Sequence, residues 1–351
     1  MTVVALGLAA LAAIGSYWLT GRFSGQRRFG AIDTPGHRSL HAVPTARTGG
    51  LAIHVAVAVA IALDAMCGWL LDRSGLEQSQ GLGVMLAAAA VLAAISYSGD
   101  LHDMPVLPRL GAQLVLGIIT VWGARLTVEV VRVPAWETVG LGRLAFPITI
   151  LALVWMTNLY NFMDGMDGFA GGMTIAGFAT LAWFAWRGGQ PAMLWISLFV
   201  VGATAGFVVH NFPPARIFMG DVGSVPLGFL AGGLSLMAIR DELFDMWVPL
   251  LIFSPFVVDA TVTLARRIRR CEPIWRPHRE HYYQRLVLAG WGHRRTVLAA
   301  YAVMLACGAT AVLYVRVGES TRLALLLAWA VTYLCLARGV TTIEAKGSTS
   351  S

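Results

Sequence analysis

Lysine is nearly missing from this sequence: of 26 Lys and Arg residues, only Lys346 is a lysine. Charge of either sign is scarce, at 13% of 351 positions, against roughly 25% in a soluble domain. With 57% hydrophobic residues, the chain lacks the polar material to cover a water-facing surface, which excludes an ordinary soluble fold. Cysteine is thin as well. Cys67, Cys271, Cys307 and Cys335 are scattered, three of them within apolar blocks, and none has CxxC spacing. Neither a disulfide framework nor a zinc site is indicated.

What is abundant is long apolar sequence. It recurs in blocks of roughly 17–22 residues, the length that crosses about 30 Å of hydrocarbon. About eleven spans are predicted, near 2–20, 51–71, 83–99, 108–127, 145–163, 170–186, 191–210, 225–239, 246–265, 296–315 and 321–337. The fold class is therefore an all-α polytopic membrane protein of about eleven transmembrane helices. It forms one integral membrane domain over 1–338, followed by a short tail, 339–351, expected to be disordered. The first span has no basic residues before it and several after it, so it reads as an anchor rather than a cleaved signal peptide.

Arginines set the orientation. The loop 21–50 carries Arg22, Arg27, Arg28, Arg38 and Arg47. The loop 266–295 carries Arg266, Arg267, Arg269, Arg270, Arg276, Arg279, Arg285, Arg294 and Arg295. With eleven spans both loops fall on one side, which the positive-inside rule makes cytoplasmic. The N-terminus is then outside and the C-terminus inside. On the opposite face, 128–144 reads as a small hairpin.

Every conspicuous polar motif lies on the basic side, next to a predicted helix end. The segment Asn158-Leu-Tyr-Asn161-Phe-Met-Asp164-Gly-Met-Asp167-Gly168 spaces two aspartates and an asparagine by three, which on a helical turn would put them on one face. Two carboxylates at a membrane boundary are costly unless they bind a cation or a polar ligand. In Asn211-Phe-Pro-Pro-Ala-Arg216-Ile-Phe-Met-Gly220-Asp221-Val-Gly223-Ser224, a lone aspartate opens a helix between glycines. There a carboxylate could hold a metal while backbone N–H groups face a phosphate. Asp100 and Asp103 follow a third helix, and Arg109 and Gln113 open the next. His278-Arg279-Glu280-His281-Tyr282-Tyr283-Gln284-Arg285 joins imidazole, guanidinium and aromatic groups suited to a nucleotide and its phosphates. A Pro/Gly-punctuated stretch from Asp33 through His37, Arg38, Ser39, His41 and Arg47 to Gly50 leads into the second span. Asp259 stands alone in an apolar run, either functional or a hydrogen-bonding partner for another helix.

In order and spacing these segments resemble the polyprenyl-phosphate N-acetylhexosamine-1-phosphate transferases, from Asp33 to about His293. The resemblance is most specific at NxxNxxDGxDGxAGG and FMGDVGSVPLGF. The HREHYYQRL loop is most similar to the branch that initiates O-antigen and related polysaccharides. It implies a bacterial inner-membrane enzyme that moves N-acetylhexosamine-1-phosphate from a UDP-sugar to undecaprenyl phosphate, releasing UMP. GlcNAc and its 6-deoxy relatives QuiNAc and FucNAc are the sugars it suggests. Mg²⁺ is the implied cofactor, with Mn²⁺ as a substitute, held by Asp221 and Asp164. Asp100, Asp164, Asp167 and Asp221 are the implied catalytic residues. Asn158, Asn161, Arg109, Asn211, Gly220, Ser224, Arg279, His281, Tyr283 and Gln284 are the implied substrate contacts. Homodimers occur in the family, and no nucleic-acid partner is expected. One departure stands out: Gly99 takes the place of the first aspartate of an Asp-Asp pair, leaving Asp100 alone. The competing readings are a flippase of a lipid-linked sugar, which would carry charge at mid-membrane, and a non-catalytic family member, which the glycine at 99 suggests.

Overall fold

A computed structural model describes residues 2–24, 32–33, 43–70, 81–102, 104–273 and 278–348. Parts of the Asp33–Gly50 stretch (His37, Arg38, Ser39 and His41 among them), Asp103, Arg276 and the last three residues lie outside the described residues.

The chain is helical almost throughout. Helices α1 (Thr2–Ser24), α2 (Gly49–Leu70), α3 (Leu82–His102), α4 (Val106–Gly123), α5 (Ala145–Met163), α6 (Phe169–Arg187), α7 (Pro191–Asn211) and α8 (Asp221–Arg240) come first. They are followed by α9 (Trp247–Ile252), α10 (Ser254–Arg269), α11 (Tyr282–Leu286), α12 (Gly292–Tyr314) and α13 (Glu319–Ser348). Among the described residues ten helical segments are long and apolar enough to cross a membrane, and the protein is a multi-pass membrane protein. The predicted hairpin is present as β3 (Val130–Arg132) paired antiparallel with β4 (Thr138–Gly140). A second small pair joins β1 (Ile32–Asp33) to β2 (Thr45–Ala46).

The ninth expected span, 246–265, is not one continuous helix. It breaks at Phe253 into α9 and α10. The cause is local: Pro255 has no N–H for the carbonyl of Leu251, and the Ser254 hydroxyl donates to that carbonyl instead, at 2.7 Å. The broken pair still runs from one end of the bundle to the other. Trp247 Nε1 donates to the Arg132 carbonyl of the hairpin at 2.6 Å, while the far end of α10 packs under the loop that holds His281. The tail also departs from expectation, because α13 continues as helix to Ser348. Its Glu344 takes a two-point ion pair from Arg285, with Nε–Oε1 at 2.7 Å. That contact gives the last turns a partner in the protein.

Helix α8 is the axis of the bundle, with nearly all of its residues buried. A lipid-embedded bundle gains little from moving apolar side chains between lipid and protein, so close packing of small residues matters more. Gly228 and Gly232 bring α8 against α5: a Cβ on either would come within 2.9 Å of Met156 O or Leu153 Cδ1 respectively. Pro226 leaves the Val222 carbonyl without its helical donor, and the His54 ring of α2 lies against that carbonyl and Gly223's.

The same device fixes α1, the most peripheral helix at this end of the chain. Gly202 and Gly206, four apart on α7, lie under it. A Cβ on Gly202 would sit 2.1 Å from Ala9 O, and one on Gly206 2.1 Å from Ala13 O. Contact with backbone cannot be relieved by a rotamer change. Gly206→Val should therefore destabilise the protein by about 1–3 kcal/mol, the usual range for overpacking, and lower its melting temperature in detergent. An unchanged melting curve would mean that α1 does not dock on this seam.

Candidate active site

Four helix ends meet at one end of the bundle. The last turn of α3 supplies Asp100, α4 supplies Arg109 and Gln113, the end of α5 supplies Asn158, Asn161 and Asp164, and the start of α8 supplies Asp221 and Ser224. Asp221 is the centre. Asn161 Nδ2 donates to its Oδ1 at 2.7 Å and also reaches Ser224 Oγ at 3.2 Å. Arg109 Nη1 forms an ion pair with Oδ2 of the same carboxylate. Asn158 Nδ2 donates to Gln113 Oε1 at 2.7 Å and ties α5 to α4 behind the cluster.

Asp100 closes the first turn of α8. Its Oδ2 accepts the Val222 amide at 2.9 Å, and its Oδ1 lies 3.4 Å from the Asp221 amide. A carboxylate in this position satisfies amides that lack helical partners and faces the positive end of the helix dipole. These amides are therefore already occupied by Asp100 and are not an open phosphate cradle as the sequence suggested. Gly220 is required here. It has φ +73°, and a Cβ would meet Arg47 O at 2.3 Å and Asp100 Oδ2 at 3.1 Å.

The stretch before α2 docks on this turn through its backbone. Phe218 N donates to Ala46 O at 2.8 Å, Gly49 N to Phe218 O at 2.9 Å and Gly50 N to Met219 O at 2.8 Å. This seats Arg47 beside the acids. Burial alone would lower its pKa, but Asp33, Asp100, Asp221 and Asp164 together outweigh that and hold it above the ordinary value. Three carboxylates thus face two arginines. Asp164 feels the imbalance most: burial, then the charges of Asp221 and Asp100, push its carboxyl well above the usual aspartate range, against the pull of Arg47 and the Gly220 amide.

Asp167 does not join the cluster. Helix α5 ends at Met163 and Gly168 adopts φ +72°, so Asp164 and Asp167 leave the helix and do not share a face. Asp167 Oδ2 accepts the Ala215 amide at 3.0 Å, and Oδ1 lies 3.2 Å from His293 Nδ1. Asn211 is likewise turned inward, its Oδ1 accepting Gly168 N and its Nδ2 donating to Ile217 O, both at 2.9 Å. Both side chains fasten the loops on either side of Gly168 to the stretch before α8.

The 278–286 loop is brought to the Asp164 turn by Tyr283. Its hydroxyl donates to Phe162 O at 3.2 Å, and its ring stacks on His281 at 5.8 Å with planes 11° apart. Tyr283 and His281 are buried, and Gln284 accepts the His281 amide at 3.3 Å. These three residues build the loop. Arg279 and His278 are half-buried. Burial first, then His281 and Arg267, hold His278 down at about 4, so at neutral pH it offers hydrogen bonds and not positive charge. Arg267 and Arg270 are engaged by Glu280 and Glu272.

Arg47 was not singled out as a site residue from sequence. Its partners come from three distant segments, and the local string Arg-Thr-Gly-Gly gives no hint beyond the glycines that permit close docking.

Among the described residues no group of three or more His, Cys, Asp or Glu forms a metal cage. Mg²⁺ does not require one: one or two carboxylates with substrate phosphates and water are its usual protein site. Asp221 and Asp164 fit that description. Each Asp221 oxygen accepts a single hydrogen bond and has two lone pairs, and the crowding that disfavours the charge on Asp164 is what a cation relieves.

A sequence profile of glycosyl transferase family 4 matches residues 82–239. The chain is 33% identical over 279 residues to a Bacillus subtilis protein named a probable undecaprenyl-phosphate N-acetylglucosaminyl 1-phosphate transferase, covering 79% of this chain and 75% of that one. It is 30% identical over 341 residues to the decaprenyl-phosphate N-acetylglucosaminephosphotransferase of Mycolicibacterium smegmatis, covering 89% and 83%. A shorter match, 31% over 204 residues, covers 56% of this chain and 61% of the phospho-N-acetylmuramoyl-pentapeptide-transferase of Moorella thermoacetica.

Two consequences can be measured. Asp164 binds its proton more tightly folded than unfolded, so between its ordinary value and its raised one the folded state loses stability as pH rises. Asp164→Asn should raise the melting temperature of the ligand-free protein at pH 7 and flatten that part of its pH dependence. A Cβ on Gly165 would lie 2.3 Å from the Tyr283 hydroxyl. Gly165→Ala should therefore lower the melting temperature, and adding Tyr283→Phe should recover most of the loss; additive losses in the double variant would contradict the contact.

Proposed function

The chain belongs to glycosyl transferase family 4, and from that premise we propose that it transfers N-acetylhexosamine-1-phosphate from a UDP-sugar to a polyprenyl phosphate. Undecaprenyl phosphate is the acceptor we assign. The names of the relatives and the acidic cluster at a membrane-helix end support this reading. Its main support is one observation: Asp100, Asp164 and Asp221, from three separate helix ends, converge with Arg47 and Arg109 where a lipid phosphate and a water-soluble nucleotide can meet. The basic loops at 21–50 and 266–295 favour the cytoplasm as that side.

The reaction joins two anions. A phosphate oxygen of the lipid attacks the phosphorus that bears the sugar, the bond from that phosphorus to the bridging oxygen breaks, and UMP leaves with the bridge. A phosphate monoester has its second pKa near about 6, so the acceptor is largely dianionic at neutral pH and no base is needed to activate it. Charge is the obstacle. Mg²⁺ bound at Asp221 and Asp164 would neutralise the diphosphate and favour departure of UMP. Arg109 and Arg47 place fixed positive charge beside the reacting phosphates, where preorganised donors are most effective. Asn161 holds the Asp221 carboxylate in one orientation, and Asp100 keeps the first turn of α8 in register beneath it. Arg279, half-buried in the same loop, is the cation we assign to the donor's diphosphate.

Gly99 lies in this setting with room to spare. A Cβ there would be 3.6 Å from Arg109 Cδ and from Met104 Cβ, an ordinary contact. The missing carboxylate is thus a matter of charge and not of space.

Purified protein incubated with Mg²⁺, undecaprenyl phosphate and a panel of UDP-N-acetylhexosamines should release UMP with at least one donor. Asp221→Asn should reduce that release by about 10³-fold or more, in line with loss of a main electrostatic group. A protein that releases UMP with no donor would rule out the transfer and leave the non-catalytic reading. Movement of a lipid-linked sugar across vesicles without UMP release would favour the flippase.

A further inference from the structure

Asp259 entered as a solitary carboxylate in an apolar run. In the structure it lies in α10, past the break at Phe253, and it is surrounded by donors. Its Oδ1 accepts from the Tyr282 amide at 3.0 Å, His281 Nδ1 at 3.1 Å and Thr263 Oγ1 at 3.2 Å. Its Oδ2 accepts the Tyr283 amide at 3.3 Å. Three of the four donors come from the 278–286 loop. The Asp259 and His281 side chains are only 9% and 7% exposed, so water does not compete for these bonds.

This arrangement has a chemical consequence. An ionised carboxylate only accepts hydrogen bonds, so His281 must carry a hydrogen on Nδ1, and Nε2 becomes the ring atom left for other partners. The two amides held by the carboxylate open the first turn of α11 and set its register. From there the order passes to Tyr283, whose hydroxyl reaches Phe162 O and packs on Gly165, next to Asp164. A continuous set of contacts therefore runs from Asp259 to the acidic cluster.

We propose that Asp259 is a positioning residue. It fixes the tautomer of His281 and the register of the 278–286 loop against the Asp164 turn, so that His278 and Arg279 meet the donor's diphosphate at a set place. The inference rests on the transfer reading above. An asparagine at 259 keeps the shape but sets an NH₂ against one of the N–H donors, which loosens the loop without emptying the site.

The test uses full-length protein in lipid nanodiscs, comparing wild type, Asp259→Asn, His281→Ala and the double variant. Steady-state kinetics are measured with the best UDP-N-acetylhexosamine and with undecaprenyl phosphate. Asp259→Asn should lower kcat/KM for the donor by about 10- to 100-fold, the size seen when the partner that orients a functional histidine is removed, with KM for the lipid unchanged. The double variant should lose less than the product of the two single losses, because the Asp259–His281 bond is common to both. A donor kcat/KM within about twofold of wild type, or losses that multiply in the double variant, would overturn the proposal. Should Asp259→Asn not fold, Thr263→Val removes one donor from the same oxygen and should give a smaller loss of the same kind; unchanged kinetics there would also overturn it. Amide hydrogen exchange of the 281–286 peptide in ligand-free protein is independent of turnover. It should quicken in Asp259→Asn, and unaltered exchange counts against the geometry. A wild type that turns over no donor sinks the transfer reading itself, which sets that failure apart from the others.

Discussion

The carboxylate of Asp221 is held from two sides, by the Asn161 amide and the Arg109 guanidinium, while its own backbone opens a helix whose first amides are closed by Asp100. Negative charge gathered at the edge of an apolar bundle is unfavourable in itself. It persists here because each acid is tied to a helix end or an arginine. Remove the capping role of Asp100 and the start of α8 loses its register. Asn161 and Ser224 would then no longer meet at Asp221, and Gly220 would no longer need to avoid Arg47 O. The acids, the arginines and the close backbone contacts form one construction.

That construction leaves the site short of positive charge. Arg109 and Arg47 face three carboxylates, and burial first, then the charges of Asp221 and Asp100, raise the pKa of Asp164 above the usual aspartate range. Four of the nine arginines in the long basic loop have partners of their own. Arg267 and Arg270 bind Glu280 and Glu272, and Arg266 and Arg285 flank the Tyr282 ring at 4.7 and 5.1 Å. Part of the basic loop is thus a self-consistent scaffold, and the excess of carboxylates over arginines at the acids is the feature on which the proposed Mg²⁺ site rests.

The membrane class, the hairpin and ten spans were legible because hydrocarbon thickness imposes a length that sequence displays directly. The identity of the acidic loops was legible because spacing within a segment survives folding. What was hidden depended on contacts between segments. Pro255 is visible in sequence, but that it would divide α9 from α10 without ending the traverse depends on Ser254 taking the Leu251 carbonyl. Asp167 and Asp164 are indistinguishable as letters; the turn between α5 and α6 sends one to Ala215 and leaves the other beside Arg47. Asn211 read as a substrate contact because it borders the Gly-Asp motif, yet both ends of its amide are held by backbone. The tail read as disordered because it is polar, and the pairing of Glu344 with Arg285 could not be seen from either residue alone.

Gly99 gains its meaning from Arg109. The arginine's aliphatic stem passes 3.6 Å from where a Cβ at 99 would lie, so a carboxylate there would compete with Asp221 for the same guanidinium. With glycine, Arg109 is given to Asp221 without that competitor. An acid at this position would have added a further carboxylate to a cluster in which burial, then Asp221 and Asp100, already raise the pKa of Asp164. The glycine therefore lowers the electrostatic strain of the ligand-free site. On the transfer proposed above, the task is charge neutralisation between two phosphates more than proton removal, and Asp100, Asp164, Asp221 and Arg109 are all present for it.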